Sequence, residues 1–185
     1  MVLWLVSPGI AEQEPLPISP DTPDDQLEIA NIAVDKLKRE IRLDVELSIF
    51  QGILEYLLVG HFGKTYESVF KIKDNRPSEL NFALLLIGCE PLPFQQYGKL
   101  LESEKPIDVI KKSYPKSLLT IEFQKDGKRI HESELMHDRE RQKFEYHWVY
   151  TGGFFDRNNR YSADQEFSYI AIWPDPTAVV NLVST

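Results

Sequence analysis

The sequence predicts an α+β domain in which a mainly antiparallel, twisted sheet carries one buried helix, at about 77–88. Three observations lead there. Leu43, Val45, Leu47 and Ile49 alternate with Asp44, Glu46 and Ser48, and Phe144, Tyr146, Trp148 and Tyr150 alternate in the same way. That two-residue period gives a strand one dry face and one wet face. A single stretch has helical spacing, with Leu80, Ala83, Leu84 and Ile87 between an opening Pro77 and a closing Gly88. Asp126-Gly127 is a strong two-residue hairpin signal between apolar runs.

Taken in order, the chain begins with an apolar stretch, residues 1–7, broken by Pro8, with small residues at Gly9 and Ala11 before an acidic run. It reads as a signal-like stub without its basic region, or as a frayed apolar N-terminus. Residues 12–26, with Pro15, Pro17, Pro20 and Pro23 among acids, read as an extended tether. The ordered domain is expected over 27–185. A tether after a leader suggests a periplasmic or otherwise extracytoplasmic protein, with a cytoplasmic location as the alternative. Strands are predicted at 32–34, 39–50, 53–59 and 64–73, the last two joined as a hairpin through Gly60 and Gly63. Phe82, Leu85 and Leu86 make the helix apolar nearly all round, so it is expected to be buried. Residues 89–116 read as a surface excursion with a short helix near Leu100 or at 107–112. Strands at 118–124, 144–150 and 167–173 follow, the last ending at Pro174.

Composition narrows the function. The 185 residues carry a net charge of -8 and no long basic run, which disfavours nucleic acid and anionic membrane surfaces as partners. No segment is long and apolar enough to form a transmembrane span. The one cysteine, Cys89, cannot build a disulfide or a thiolate metal site within the chain, and its place after a buried helix suits packing better than reaction. The Gly-Lys-Thr at 63–65 lacks the first glycine of a phosphate loop, because Leu58 stands there, and strand alternation follows it instead of a helix. His131 and His137 are six apart, whereas a zinc-binding helix needs histidines four apart. No cofactor, metal or catalytic residue is assigned.

Several motifs, in order, carry a family resemblance: GILEYLL at 52–58, GKTYESVF at 63–70, 77–88 with its ALLLIG, WVYTGGF at 148–154 and YSAD at 161–164. The chain resembles the YdjY-type domain family over about 27–183. That family usually has histidine where Tyr66 stands and Gly-Ser where Gly152-Gly153 stands. The resemblance implies a bacterial, often exported domain with no reaction to carry over; the iron–sulfur centres for which some relatives are named need more cysteines than this chain has. The candidate ligand or interaction residues are Lys64, Glu67 and Ser68 beside the 60–63 turn, Arg76 before the helix, and Trp148, Phe154, Tyr161 and Asp164 in and after an aromatic, Gly-rich loop. The first reading is a non-catalytic binding module that meets an unidentified protein or small molecule. The alternative is a metal-binding or enzymatic domain centred on Glu67, with histidines brought near it by folding.

Overall fold

The computed structural model describes residues 1–8, 25–49, 52–136 and 145–184. Its centre is a twelve-stranded mixed sheet. The chain enters as β1 (Val2–Val6), makes the meander β2 (Gln26–Ile29), β3 (Ile32–Asp35) and β4 (Glu40–Asp44), and continues through β5 (Glu46–Leu47), β6 (Tyr56–Gly60) and β7 (Ser68–Ile72). Three helices follow, α1 (Pro77–Leu86), α2 (Phe94–Leu101) and α3 (Pro106–Ser113). Next come the hairpin β8 (Leu118–Lys125) and β9 (Lys128–Ile130), the single turn α4 (Glu132–Leu135) and β10 (Tyr146–Tyr150). The short helix α5 (Ser162–Glu166), β11 (Ser168–Ala171) and β12 (Val180–Ser184) complete it. Strand order is β2-β3-β4-β1-β8-β10-β12-β11-β6-β7-β5, with β9 on β8.

The long strand β8 gives its first residues to β10 and the rest to β1, so it belongs to both halves of the sheet. On the other side only Val45 separates β4, in one half, from β5, in the other, so the chain itself links distant points of the strand order. The halves face each other across one core: the rings of Phe70 on β7 and Phe123 on β8 lie 5.5 Å apart, centroid to centroid. α1 buries Leu80, Ala83 and Leu84 in that core. A second, smaller core lies where Tyr97 of α2 and Ile107 and Ile110 of α3 cover Val149 and Val183, on the opposite face of β10 and β12 from Trp148 and Leu182.

The expected fold class is corrected on three points. First, the sheet is large and mixed, because β6 runs parallel to β7 and β11 parallel to β12. Side-chain alternation reports which face a residue occupies and is silent on strand direction. Second, β12 follows the strand predicted as last. Its Val180, Leu182 and Val183 are buried on both faces, so it reads as an apolar run without alternation. Third, α1 is joined by further helices and is not buried all round: Phe82 and Leu85 are 52% and 47% exposed.

The stretch at 60–70 is no hairpin. Tyr56 pairs with Ser68, Leu58 with Phe70 and Gly60 with Ile72, all in the same direction, so residues 61–67 carry the chain back to the start of β6 before β7 begins. Parallel neighbours are usually joined by a dozen residues or more. This short return runs against Phe167: a Cβ on Gly60 would lie 3.0 Å from Phe167 Cβ and Cδ1, and one on Gly63 3.1 Å from Phe167 Cβ. Both glycines therefore serve close packing.

Met1 to Ser7, read as a stub ahead of the domain, lies inside the sheet. β1 pairs residue for residue with β4 on one side and β8 on the other, and Leu3 and Leu5 are fully buried. The tether predicted at 12–26 falls outside the described residues over 12–24, as do His137 and Phe144. Among the described residues no helix is long and apolar enough to cross a membrane.

Candidate functional site

The eight residues singled out from the sequence separate into four places. Lys64 and Glu67 stand on the return between β6 and β7, where Lys64 Nζ lies 3.3 Å from a Glu55 carboxylate oxygen and 4.0 Å from one of Glu67. The ammonium also sits 5.5 Å from the centre of the Tyr56 ring. Tyr56 and then Glu55 hold Lys64 above the usual lysine range, while burial, helped by the nearby Asp175 carboxylate, pushes the Tyr56 hydroxyl up to about 12. Tyr56 donates its proton to Asp175 Oδ2 at 2.9 Å. Ser68 is fully buried and donates to the carbonyl of Phe70. Glu67 thus faces a partly exposed ion pair, and among the described residues no group of three or more histidine, cysteine or carboxylate side chains could hold a metal.

Arg76 and Asp164 meet at the start of α1 by different routes. The backbone N–H of Arg76 donates to the Glu79 carboxylate, which closes the first turn, and the Arg76 side chain is exposed. Asp164 reaches across from α5 and accepts from both the backbone N–H and the hydroxyl of Ser78, each at 2.8 Å. It fills from another element the carboxylate position that favours a helix N-terminus.

Phe154 lines a cleft of about 570 Å³ between the α1–α2 region and the loop that follows β10, and Tyr161 and Asp164 brace its walls from outside the lining. One wall is Asn81 and Leu85 of α1 with Pro91, Pro93 and Phe94; the other is Tyr150, Gly152, Gly153, Phe154 and Pro176. The floor is set by glycine. Gly152 has φ +81°, and a Cβ there would come 2.9 Å from Pro91 Cβ, so only glycine allows the proline to lie against the loop. Tyr161 donates its hydroxyl to the Gly152 carbonyl at 2.7 Å, and burial holds that hydroxyl well above the usual phenol range. Ser162 clamps Phe154 from both sides, its hydroxyl accepting from the Phe154 N–H and its N–H donating to the Phe154 carbonyl. α5 therefore holds both walls: the loop through Ser162, and α1 through Asp164.

The polar groups in the cleft are unevenly satisfied. Tyr150 donates to Asn81 Oδ1 at 2.7 Å, which leaves the Asn81 Nδ2 donors without a partner among the described residues. The N–H and the carbonyl of Gly153 are likewise unpaired there. No charged side chain lines the cleft. Leu85 and Phe154, each 47% exposed, add apolar surface to the same cleft.

Trp148 lies elsewhere. It is buried, and its indole N–H donates to Glu132 Oε1 at 2.5 Å beside a smaller cavity of about 190 Å³. Sequence reasoning misses Glu132, which reads as one more carboxylate in a polar, solvated 131–137 segment. It also missed Asn81, which sat inside a helix read as wholly buried. The available signal was Asn81 itself, a polar residue among apolar neighbours. Cys89 is buried, with its thiol pushed up by burial, as expected of a packing residue.

Comparison with protein-family models gives no match, and comparisons with curated proteins and with solved structures give none either. The YdjY-type resemblance therefore rests on the motifs that carry it.

Proposed function

We propose that this domain is a non-catalytic binding module whose site is the uncharged cleft between α1 and the Gly152–Gly153 loop. The ligand class that suits it is an extended, uncharged apolar segment that brings its own amide groups, such as a stretch of peptide. One observation carries this reading: three hydrogen-bonding groups unpaired among the described residues, Asn81 Nδ2 and the N–H and C=O of Gly153, share with Leu85 and Phe154 a cleft that has no charged lining. Peptide grooves combine these elements, with main-chain hydrogen bonds supplying affinity and apolar pockets supplying selectivity. Exposed aromatic anchors beside fixed polar groups are also where binding energy concentrates.

Export, as an extension of this proposal, must respect β1. Cleavage after Ala11 would remove a strand paired on both sides, so an exported form keeps this sheet only if residues 2–6 stay with it.

The test is to pan a random displayed-peptide library against the full chain. The expected winners are uncharged, rich in proline and aliphatic residues, and lose binding at least tenfold to Leu85→Asp and to Phe154→Asp. Winners that are charged, or that bind both variants as well as the parent, would overturn the assignment of the cleft.

A further inference from the structure

We propose that the cavity beside Glu132 is a second binding site, for a small organic monocarboxylate held between the Lys111 ammonium and the Glu132 carboxyl. It stands independently of the cleft. The cavity is formed where α3, β8, α4 and β10 meet; Leu118, Leu119 and Ile121 line it with apolar surface, and Glu132, Lys111 and His147 supply the ionisable groups. Its volume of about 190 Å³ is roughly six times the ~30 Å³ that a water occupies, room for a short acid of about six heavy atoms.

The direction of each group decides the ligand. Glu132 Oε1 is held from behind by the Trp148 indole N–H, whereas Oε2 has no partner among the described residues. When Glu132 is protonated, the O–H therefore lies on Oε2 and is a donor to a ligand oxygen. Burial pushes this carboxyl up to about 7, offset in part by the indole hydrogen bond, so the donor form is well populated at neutral pH. Of the charged neighbours, Lys111 favours an anionic ligand, whereas Glu145, paired with His147, opposes it. From α3, Lys111 contributes a cation. From β10, His147 is held below its usual range by burial and by Lys111 and meets the Glu145 carboxylate at 3.3 Å, while the Tyr146 hydroxyl donates to the Met136 carbonyl. From β8, residues 118–121 bring no charge. On α4 itself, Glu134 is engaged by the His131 backbone N–H. A ligand carboxylate can thus accept the Glu132 proton and face Lys111, with its alkyl group on the leucines.

The experiment titrates the full chain with isobutyrate, and separately with isobutylamine, at pH 5.5, 7.0 and 8.5. The indole N–H resonance of Trp148 reports binding. For a ligand of this size a dissociation constant in the millimolar range is expected, on the order of 4 kcal/mol. Because binding takes up one proton on Glu132, isobutyrate should bind about 15-fold more weakly at pH 8.5 than at 7.0, given a carboxyl titrating at about 7. Glu132→Gln keeps an acceptor for Trp148 and presents N–H donors to the ligand, so it should retain binding and lose the pH dependence. Lys111→Ala should weaken binding at every pH. Three results would overturn the proposal: no movement of the Trp148 resonance by isobutyrate at pH 5.5, pH-independent binding by the parent protein, or preferential binding of the amine, strengthening as pH rises.

Discussion

Replacing Leu5 by alanine separates two accounts of the N-terminus. If residues 1–7 lay outside the domain, the change would fall within the ~0.5 kcal/mol typical of surface substitutions. In the fold, Leu5 is fully buried, opposite Ile41 on β4 and Ile121 on β8. Alanine removes three carbons, worth about 2.4 kcal/mol at ~0.8 per buried methylene. A cavity term follows at ~24 cal/mol per Å³ that the neighbours fail to fill, which places the total at about 2.5–5 kcal/mol. Against the 5–15 kcal/mol that typically separates folded from unfolded states, this is a large share. Urea unfolding followed by circular dichroism measures it, with an unchanged m-value expected. The melting temperature should fall by roughly 5–20 °C, at about 2–4 °C per kcal/mol for a domain of this size. A variant within ~0.5 kcal/mol of the parent would refute the placement of β1 between β4 and β8.

Other consequences can be checked with the same assays. Asp164→Ala should cost about 1–2 kcal/mol through loss of the contacts to Ser78, with faster hydrogen exchange in the first turn of α1. Gly152→Ala should cost more than ~1 kcal/mol, because its φ of +81° and the 2.9 Å approach to Pro91 both penalise a Cβ. Glu67→Ala, by contrast, breaks a partly exposed pair and should move stability by less than ~1 kcal/mol in thermal melts, with no change in metal content by elemental analysis. The pH dependence follows from Glu132, which titrates at about 7 in the fold against 4.5 as its ordinary value. Between those values the folded state holds a proton that the unfolded chain has released, so this group's contribution falls as pH rises from about 4.5 to 7 and then levels off. Urea midpoints at pH 5 and pH 8 should show that slope in the parent and lose it in Glu132→Gln.

What could be read beforehand is what lies in local pattern. The ends of α1 were legible because Pro77 and Gly88 act within a few residues of themselves, and Gly88 has the positive φ, +82°, that suits a helix end. The Asp126-Gly127 hairpin was legible for the same reason, with both residues at positive φ. Pairing partners were not legible. Nothing local in Tyr56–Gly60 distinguishes a parallel neighbour from an antiparallel one, and the glycines at 60 and 63 that look like a turn answer to Phe167, a hundred residues on. The candidate site divided along the same line. Phe154, Tyr161 and Asp164 were named from a loop rich in aromatics and glycine, and all three serve the cleft. Its opposite wall, Asn81 and Leu85, looked like core because helical spacing cannot show that one face of α1 is left partly uncovered.

The cleft itself is tested most directly by titrating isotope-labelled full chain with an uncharged, proline-containing peptide taken from the display selection. The Gly153 backbone amide and the Asn81 side-chain amide should shift together and saturate with the same dissociation constant, while Lys64 and Glu67 stay still. Saturable binding that leaves Gly153 and Asn81 unmoved would contradict it.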